Sequence, residues 1–106
     1  MTVYVDDMYL TKMGEFKRRG GGVMKMSHMV ADSTEELIAM AEKIGVHRRW
    51  IQKAGTPWEH FDVALAAREQ AVRAGAVPIT MRQLAMFCRE RRSAPPVNPQ
   101  QSAFSF

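Results

Sequence analysis

The sequence predicts a small α/β domain, because short β-rich segments alternate with helical patterns along a chain of domain size. With 106 residues, the chain is long enough for one domain. Its predicted elements follow the order β-loop-β-α-β-α-β-α. Such an alternation is typical of a mostly parallel sheet with right-handed crossovers. We therefore expect a sheet of about four short strands with three helices over residues 1–92.

The first predicted strand runs directly into two acidic residues. Thr2 to Val5 is rich in residues that favour strands, and Asp6 and Asp7 follow at once. Residues 8–22 have no clear periodicity and end in Gly20-Gly21-Gly22, which indicates a long mobile loop. No Gly-Lys-Ser/Thr follows these glycines, so we expect a hinge or lid and not a phosphate-binding loop.

A second strand and the first helix follow. Val23 to Met26 alternates apolar and polar residues, and Ser27-His28 comes after it. Asp32-Ser33-Thr34-Glu35 then has a polar N-cap with a glutamate three residues later. Apolar residues continue at helical spacing as far as Ile44. This pattern predicts a helix over 33–44, capped by Asp32.

The second half of the chain continues the alternation. Residues 46–52 have extended character around Trp50, and Asp62 is placed as the N-cap of a helix over 63–74. Residues 76–79 form a very short predicted strand. Thr80-Met81-Arg82-Gln83 is a second capping box, which begins a helix through about residue 91. The prolines and uncharged polar residues of 93–106 predict a disordered tail.

Charge and composition limit the classes of partner. The formal charge is +4, and basic residues cluster at Lys17-Arg18-Arg19 and at the end of the last helix. This favours an anionic partner, a nucleotide before a polynucleotide, because two Trp, two Tyr and five Phe are few for a nucleic-acid binder. A homo-oligomer would supplement the small core.

The sequence predicts a cytoplasmic protein. No segment approaches the roughly 20 apolar residues needed to span a bilayer, so no membrane partner is expected. The N-terminus lacks the basic and apolar regions of a signal peptide. The single cysteine, Cys88, cannot form an internal disulfide, and it has the helical position of a core residue.

The predicted topology gathers polar residues at one edge of the sheet. In open α/β sheets, ligands bind outside the carboxyl ends of the strands, where helix N-termini also point. The polar residues that follow the predicted strands, or lie in the loop beyond the third, are Asp6, Asp7, Ser27, His28, Gln52, His60, Asp62, Thr80 and Arg82. The aromatic residues that could stack on a bound base are Trp50, Trp58 and Phe61.

Several of these residues have a structural alternative. The spacing of Asp62 and Thr80 to the following helices suits helix caps. His28 and His60 could be ordinary hydrogen-bonded histidines. Ser27 adjoins His28 in sequence, which gives poor geometry for a nucleophile and its base.

The acidic pair at the end of the first strand is less easily explained by structure alone. Asp6 and Asp7 repel each other, so one of them requires a cation, an arginine or a sugar hydroxyl. The residues that could bind a divalent metal are Asp6, Asp7, His60 and Asp62, together with His28. Their spacing matches no metal motif. No cofactor is therefore assigned, and a divalent metal is the one candidate.

The chain resembles domain of unknown function 4031, a family of bacterial and phage proteins. The residues that carry the resemblance, over about 2–83, are Tyr4-Val5-Asp6-Asp7-Met8, Ser27-His28-Met29, Ala31-Asp32, Trp50, Gln52, His60-Phe61-Asp62, Arg68 and Gly75-Ala76. The chain departs from the family with Met26 in place of Trp and Phe61 in place of Tyr. The resemblance implies no activity, but it adds Arg68 to the candidate site.

Three functions fit these residues. The first is binding of a small anionic ligand, a nucleotide or nucleotide-derived signal, with Arg68 or Arg82 on phosphate and Asp6 or Asp7 on hydroxyls. Such a protein could sequester a signal without turnover. The second is a metal-assisted hydrolase of a phosphoester or N-glycosidic bond. The third is a protein-interaction module that inhibits a host factor through the tail and the basic helix end.

Overall fold

The computed structural model describes residues 2–93, which form a three-layer α/β domain. The strands are β1 Val3–Val5, β2 Glu15–Lys17, β3 Val23–Ala31, β4 Phe61–Ala64 and β5 Val77–Pro78. The helices are α1 Thr34–Lys43, α2 Leu65–Arg73 and α3 Met81–Ser93. The α/β class and the three helices are therefore confirmed. The predicted disordered tail lies, beyond Ser93, outside the described residues.

The sheet is mixed, and the prediction of a mostly parallel sheet is wrong. Its five strands run in the order β2-β3-β1-β5, with β4 also paired to β3. Only β1 and β5 are parallel, whereas β3 is antiparallel to β1, β2 and β4. The cause is the length of β3, which continues from Val23 through Ser27-His28 to Ala31. These two residues therefore lie inside a central strand and not after its end.

The two faces of the sheet carry different helices. Met29 and Ala31 of β3 pack with Leu37 of α1 and Ala71 of α2 in the larger core. Val30 points to the opposite face, where it packs against α3 in a smaller cluster. Because side chains alternate along a strand, His28 shares the α3 face with Val30. This alternation positions the candidate site.

Two segments differ from their predicted form. Residues 46–52 contain no strand but a 3-10 turn at Arg48–Trp50 and a single bridge between Gln52 and His60. Although these residues favour strands, they pair with no strand beyond that single bridge, and Trp50 is 61% exposed. The predicted loop 8–22 contains two 3-10 turns and β2, so its glycines form the turn of a hairpin.

The helix caps follow local spacing only in part. Thr80 Oγ1 accepts from the Gln83 amide at 3.1 Å, and the Gln83 side chain accepts from the Thr80 amide at 2.8 Å, which confirms this capping box. Ser33, and not Asp32, caps α1, because Asp32 accepts from the Thr2 amide. Asp62 lies within β4 and caps no helix.

None of the helices described is long and apolar enough to cross a membrane.

Candidate metal centre

Three polar residues form a row across the α3 face of the sheet. His28 of β3 lies directly opposite Asp62 of β4 in the antiparallel register, so their side chains project from the same face. On the other side of β3, the Asp6 amide donates to the His28 carbonyl oxygen at 3.0 Å. The row Asp6–His28–Asp62 is thus fixed by backbone pairing of three chain segments.

His60 joins this row through the geometry of its own segment. It precedes Asp62 by two residues, and a spacing of two on an extended chain puts both side chains on one face. The backbone of His60 is held by two hydrogen bonds with Gln52, of 2.8 and 3.1 Å. The rings of His28 and His60 meet edge to face, with their centroids 5.2 Å apart. Two imidazoles and one carboxylate therefore converge.

In each converging side chain, the atom that points away from the other two is held by a hydrogen bond. His28 Nδ1 lies 2.7 Å from Asp6 Oδ2, and His60 Nδ1 lies 2.7 Å from the Trp58 carbonyl oxygen. Carboxylate and carbonyl oxygens only accept, so both Nδ1 atoms carry the proton in the neutral rings. Gln52 Nε2 donates to Asp62 Oδ2 at 2.6 Å. These contacts leave both Nε2 lone pairs and Asp62 Oδ1 turned toward one another.

The carboxylate behind His28 is firmly held. Asp6 is fully buried, and its Oδ1 accepts from the His28 amide at 2.9 Å and the Met8 amide at 3.1 Å. Its other oxygen faces His28 Nδ1. A carboxylate that holds the far nitrogen of a histidine is the usual second partner of a metal-bound imidazole.

The distances among the three free atoms suit a single metal ion. Asp62 Oδ1 lies 3.5 Å from His60 Nε2 and 4.0 Å from His28 Nε2, and all three ligand atoms lie within 4.8 Å of one another. Bonds of about 2.0–2.1 Å at tetrahedral angles place ligand atoms about 3.4 Å apart. A small shift of each side chain would bring all three onto one ion.

His60 and Asp62 shift each other's pKa in opposite directions. Burial lowers the pKa of His60, but the contact with Asp62 and the hydrogen bond to the Trp58 carbonyl raise it, and the net effect is a raised pKa. The same contact with His60 lowers the pKa of Asp62 against the opposing effect of burial, and Gln52 lowers it further. An imidazolium and a carboxylate thus attract each other where a metal ion would otherwise bind.

A cleft of about 410 Å³ opens beside the two histidines. Its walls include Trp58 and, from α3, Leu84 and Cys88. Burial raises the pKa of the Cys88 thiol, so this wall is uncharged. Lys53, at the rim, has a left-handed backbone with φ of 55°, which is uncommon for a residue with a side chain. The cleft therefore offers an apolar wall with one cation at its edge.

Two predicted site residues have structural tasks next to the centre. Asp7 Oδ1 accepts from the Met81 amide at 2.9 Å, so Asp7 occupies the N-terminal end of α3. The Arg68 Nε atom donates to the Asp6 carbonyl oxygen at 2.8 Å, and the guanidinium lies 4.7 Å from the Tyr9 ring centroid. Arg68 thereby supports the segment that carries Asp6.

Three further predicted residues lie apart from the metal ligands. Phe61 is fully buried in the larger core, so it cannot stack on a bound base. Trp50 is exposed and contacts Arg49, at 5.0 Å from its ring centroid. Arg82 is exposed on α3, and neither it nor Trp50 lines the cleft. Of the predicted stacking residues, Trp58 alone lines it.

Sequence reasoning misses Lys53 and the α3 wall of the cleft. Nothing local marks Lys53, since its position depends on the turn between Gln52 and His60. The pairing of His28 with Asp62 is missed for a different reason, because the sequence patterns place both residues outside strands. The spacing His60-x-Asp62 is the available signal, once residues 61–64 are recognised as a strand.

Comparison with known proteins identifies the family of the chain. The family model described as Protein of unknown function (DUF4031) matches residues 3–91, which include every residue of the centre. No curated protein and no solved structure matches the chain.

Proposed function

For this chain, which belongs to the DUF4031 family, we propose a metal-dependent hydrolase in which His28, His60 and Asp62 bind one divalent ion. The observation that carries the proposal is the convergence of three acceptor atoms whose other sides are already satisfied. Without a cation or a proton between them, two lone pairs and a carboxylate oxygen repel. A divalent ion satisfies all three at once.

The donor set favours a borderline transition metal. Two imidazoles and one carboxylate suit Zn²⁺, Mn²⁺ or Fe²⁺, whereas Mg²⁺ and Ca²⁺ prefer oxygen ligands throughout. Three protein ligands leave coordination positions open, which is typical of a catalytic and not a structural site. The cleft that Lys53 and Trp58 border lies beside these ligands and can hold a substrate.

His28, His60 and Asp62 would hold the ion, which when bound would lower the pKa of a coordinated water toward about 7 and so supply a nucleophile for hydrolysis. Hydrolysis would consume one water, whose oxygen would bond to the electrophilic atom of the substrate while the leaving oxygen departs with a water proton. Lys53 can pair with an anionic group of the substrate, which favours a phosphoester over an N-glycosidic bond.

The proposal of a small anionic ligand held without turnover has weaker support. Two of the groups expected to hold phosphate are engaged elsewhere, because Arg68 binds the Asp6 carbonyl and the N-terminal end of α3 is occupied by Asp7. A carboxylate at a helix N-terminus also repels an approaching phosphate. The third proposal, an interaction module, depends on a tail outside the described residues.

Metal binding tests the proposal most directly. Isothermal titration of the purified chain with Zn²⁺ and Mn²⁺ should give one site, and His60→Ala and Asp62→Ala should each abolish it or weaken it by at least about 100-fold. The matched control is His47→Ala, because His47 is exposed and its ring accepts from the Arg49 amide, away from the centre. Equal loss in all three variants, or no site in the native chain, contradicts the proposal.

Turnover is tested separately with a chromogenic phosphodiester. Hydrolysis of bis(p-nitrophenyl) phosphate should require the metal that binds and should disappear in Asp62→Ala. A chain that binds metal at this site but hydrolyses no phosphoester would retain the metal centre and refute the hydrolase.

The pH dependence of metal binding follows from the raised pKa of His60. A metal ion needs the neutral ring, so protons compete with it below the raised pKa, and affinity should fall as the pH decreases from about 7.5 to about 5.5. Without metal, the His60 contribution to stability is present below its ordinary pKa of 6.5 and is lost as the pH rises through the raised value. Stabilisation by zinc in thermal melts should therefore grow with pH. A constant zinc effect over this range would contradict the assignment of His60.

A further inference from the structure

The net charge of the chain is concentrated in one hairpin. We define the basic hairpin as residues 12–25, which comprise the 3-10 turn Lys12–Gly14, β2, the glycine turn and the beginning of β3. It contains five of the 15 basic residues and one of the 11 acidic residues, a formal charge of +4. The ten basic and ten acidic residues elsewhere cancel, so the hairpin accounts for the whole net charge of +4. The five cations are Lys12, Lys17, Arg18, Arg19 and Lys25.

The charges of the basic hairpin are available to a partner. Every residue from 15 to 23 is exposed, and so is Lys25. None of its five cations forms an ion pair with another residue of the described part of the chain. Like charges held together without counter-ions attract a polyanion, and binding releases the condensed ions of that polyanion.

The shape of the basic hairpin is a two-stranded ribbon. Three cross-strand pairs join its strands, from Glu15 opposite Lys25 to Lys17 opposite Val23. The turn contains three consecutive glycines with φ between +84° and +112°, and a Cβ atom added at any of them would have nothing within 4 Å. The tip therefore projects without covering neighbours. A ribbon of this width fits the major groove of a duplex.

The ribbon leads directly to the candidate metal centre. Lys25 and His28 lie on the same strand three residues apart, which corresponds to about 10 Å along β3. Phe16 is opposite Met24, and by alternation both share the sheet face of His28, whereas Lys25 and Lys17 lie on the opposite face. An extended polyanion held at the tip by Arg18 and Arg19 can follow the Phe16 face to the metal ligands, whereas a mononucleotide is too short to contact both.

From this placement we propose that the basic hairpin binds the phosphate backbone of a nucleic acid and delivers a phosphodiester to the metal centre. Arg18 and Arg19 at the tip hold phosphates, and the exposed Phe16 ring contacts a base or sugar on the face of His28. Lys17 and Lys25, on the opposite face, add to the attraction of the polyanion. The delivery step rests on the proposed hydrolase, but binding by the hairpin does not. The nucleic acid thereby becomes the substrate class of the same site.

Fluorescence anisotropy with a short labelled DNA duplex and the matching single strand tests this proposal. The hairpin variant combines Lys17→Ala, Arg18→Ala and Arg19→Ala, and divalent ions are omitted so that no cleavage occurs. At about 0.1 M salt its dissociation constant should rise on the order of 100-fold, and the slope of log K against log salt should shrink by roughly 2.7 on a duplex. Its zinc titration should match that of the native chain.

The matched control removes the same charge from elsewhere. Lys43→Ala, Arg73→Ala and Arg89→Ala together take three exposed cations from the three helices. The dissociation constant of this variant for DNA should lie within about threefold of that of the native chain. Cations farther from the DNA than a Debye length are largely screened by salt. Equal weakening in both triple variants, or no binding by the native chain at low salt, overturns the proposal.

Two further outcomes also overturn it. One is that phosphatidylserine vesicles bind the native chain and the hairpin substitutions abolish only that binding. The other is that the substitutions alter the oligomeric state and leave DNA binding unchanged. If the native chain binds DNA through the hairpin but binds no zinc, the hydrolase and the delivery step are refuted. Nucleic-acid binding by the hairpin then still stands.

Discussion

Replacement of Asp6 by asparagine separates orientation of the metal ligand from metal contact. Asp6 touches no metal in the proposed centre, and it acts through His28 Nδ1. In Asp6→Asn, the remaining oxygen stays where the His28 and Met8 amides donate, since reversal would oppose donor to donor twice. The new amide nitrogen then faces His28 Nδ1. The ring must accept there, so its proton moves to Nε2 and blocks the metal.

The magnitude of this effect follows from the role of such outer groups. Removal of a partner behind a metal-bound histidine costs about 10–100-fold in metal affinity. This equals about 1.4–2.8 kcal/mol at 25 °C. The metal-free protein keeps a hydrogen bond between these two side chains but exchanges a charged acceptor for a neutral amide, which costs about 1 kcal/mol of stability. Thermal melts must therefore accompany every titration.

The assay combines zinc titration with nitrogen NMR of the histidine rings. In the native chain, the His28 ring should carry its proton on Nδ1, and in Asp6→Asn on Nε2. Asp7→Asn is the matched control, because it makes the same change one residue away and alters only the cap on α3, worth about 1 kcal/mol. If Asp6→Asn binds zinc as tightly as Asp7→Asn, or keeps the Nδ1 proton, the reasoning is refuted.

Three other predictions concern packing and burial. Gly14→Ala places a methyl group 2.3 and 2.7 Å from two backbone oxygens, so it should lower the free energy of unfolding by about 2–3 kcal/mol. The control Gly20→Ala meets only an unfavourable φ and should cost about 1 kcal/mol, and thermal melts compare the two variants. Glu59→Leu leaves the Thr34 hydroxyl and the Gly55 amide without an acceptor and should cost about 1–3 kcal/mol in urea unfolding, whereas Glu59→Gln should cost under about 1 kcal/mol. Equal losses would contradict this. Cys88, whose pKa is raised by burial, should react with a disulfide reagent far more slowly in the native than in the unfolded chain.

The parts of the fold that are predictable from sequence are those set by local chemistry. Helix α1 is predicted over 33–44 and runs over Thr34–Lys43, because its apolar spacing and polar N-terminus act within a few residues. The box of Thr80 and Gln83 is equally local. Strand orientation is not local, since it depends on which distant segment pairs with β3. The continuous run Met29-Val30-Ala31 is the signal for the longer strand.

The candidate site is predictable residue by residue but not as an arrangement. Sequence reasoning identifies His28, His60 and Asp62 each as possible ligands, and it also interprets Asp62 as a helix cap. The cap interpretation requires a helix from residue 63, whereas α2 begins at Leu65. Once Asp62 belongs to a strand, His60 shares its face and His28 lies opposite. Register across strands, which no local pattern encodes, makes the site.

The length of β3 explains why the metal centre and the basic hairpin occur together. Residues 23–25 pair with β2, residues 26–29 with β4 and residues 29–31 with β1. His28 lies where partners flank the strand on both sides, since its backbone contacts Asp6 as well as Asp62. A metal-ligating side chain at this position is held rigidly, as catalysis requires. The first three residues have a partner on one side only, so the hairpin can adapt to an irregular polyanion while the metal ligands stay fixed.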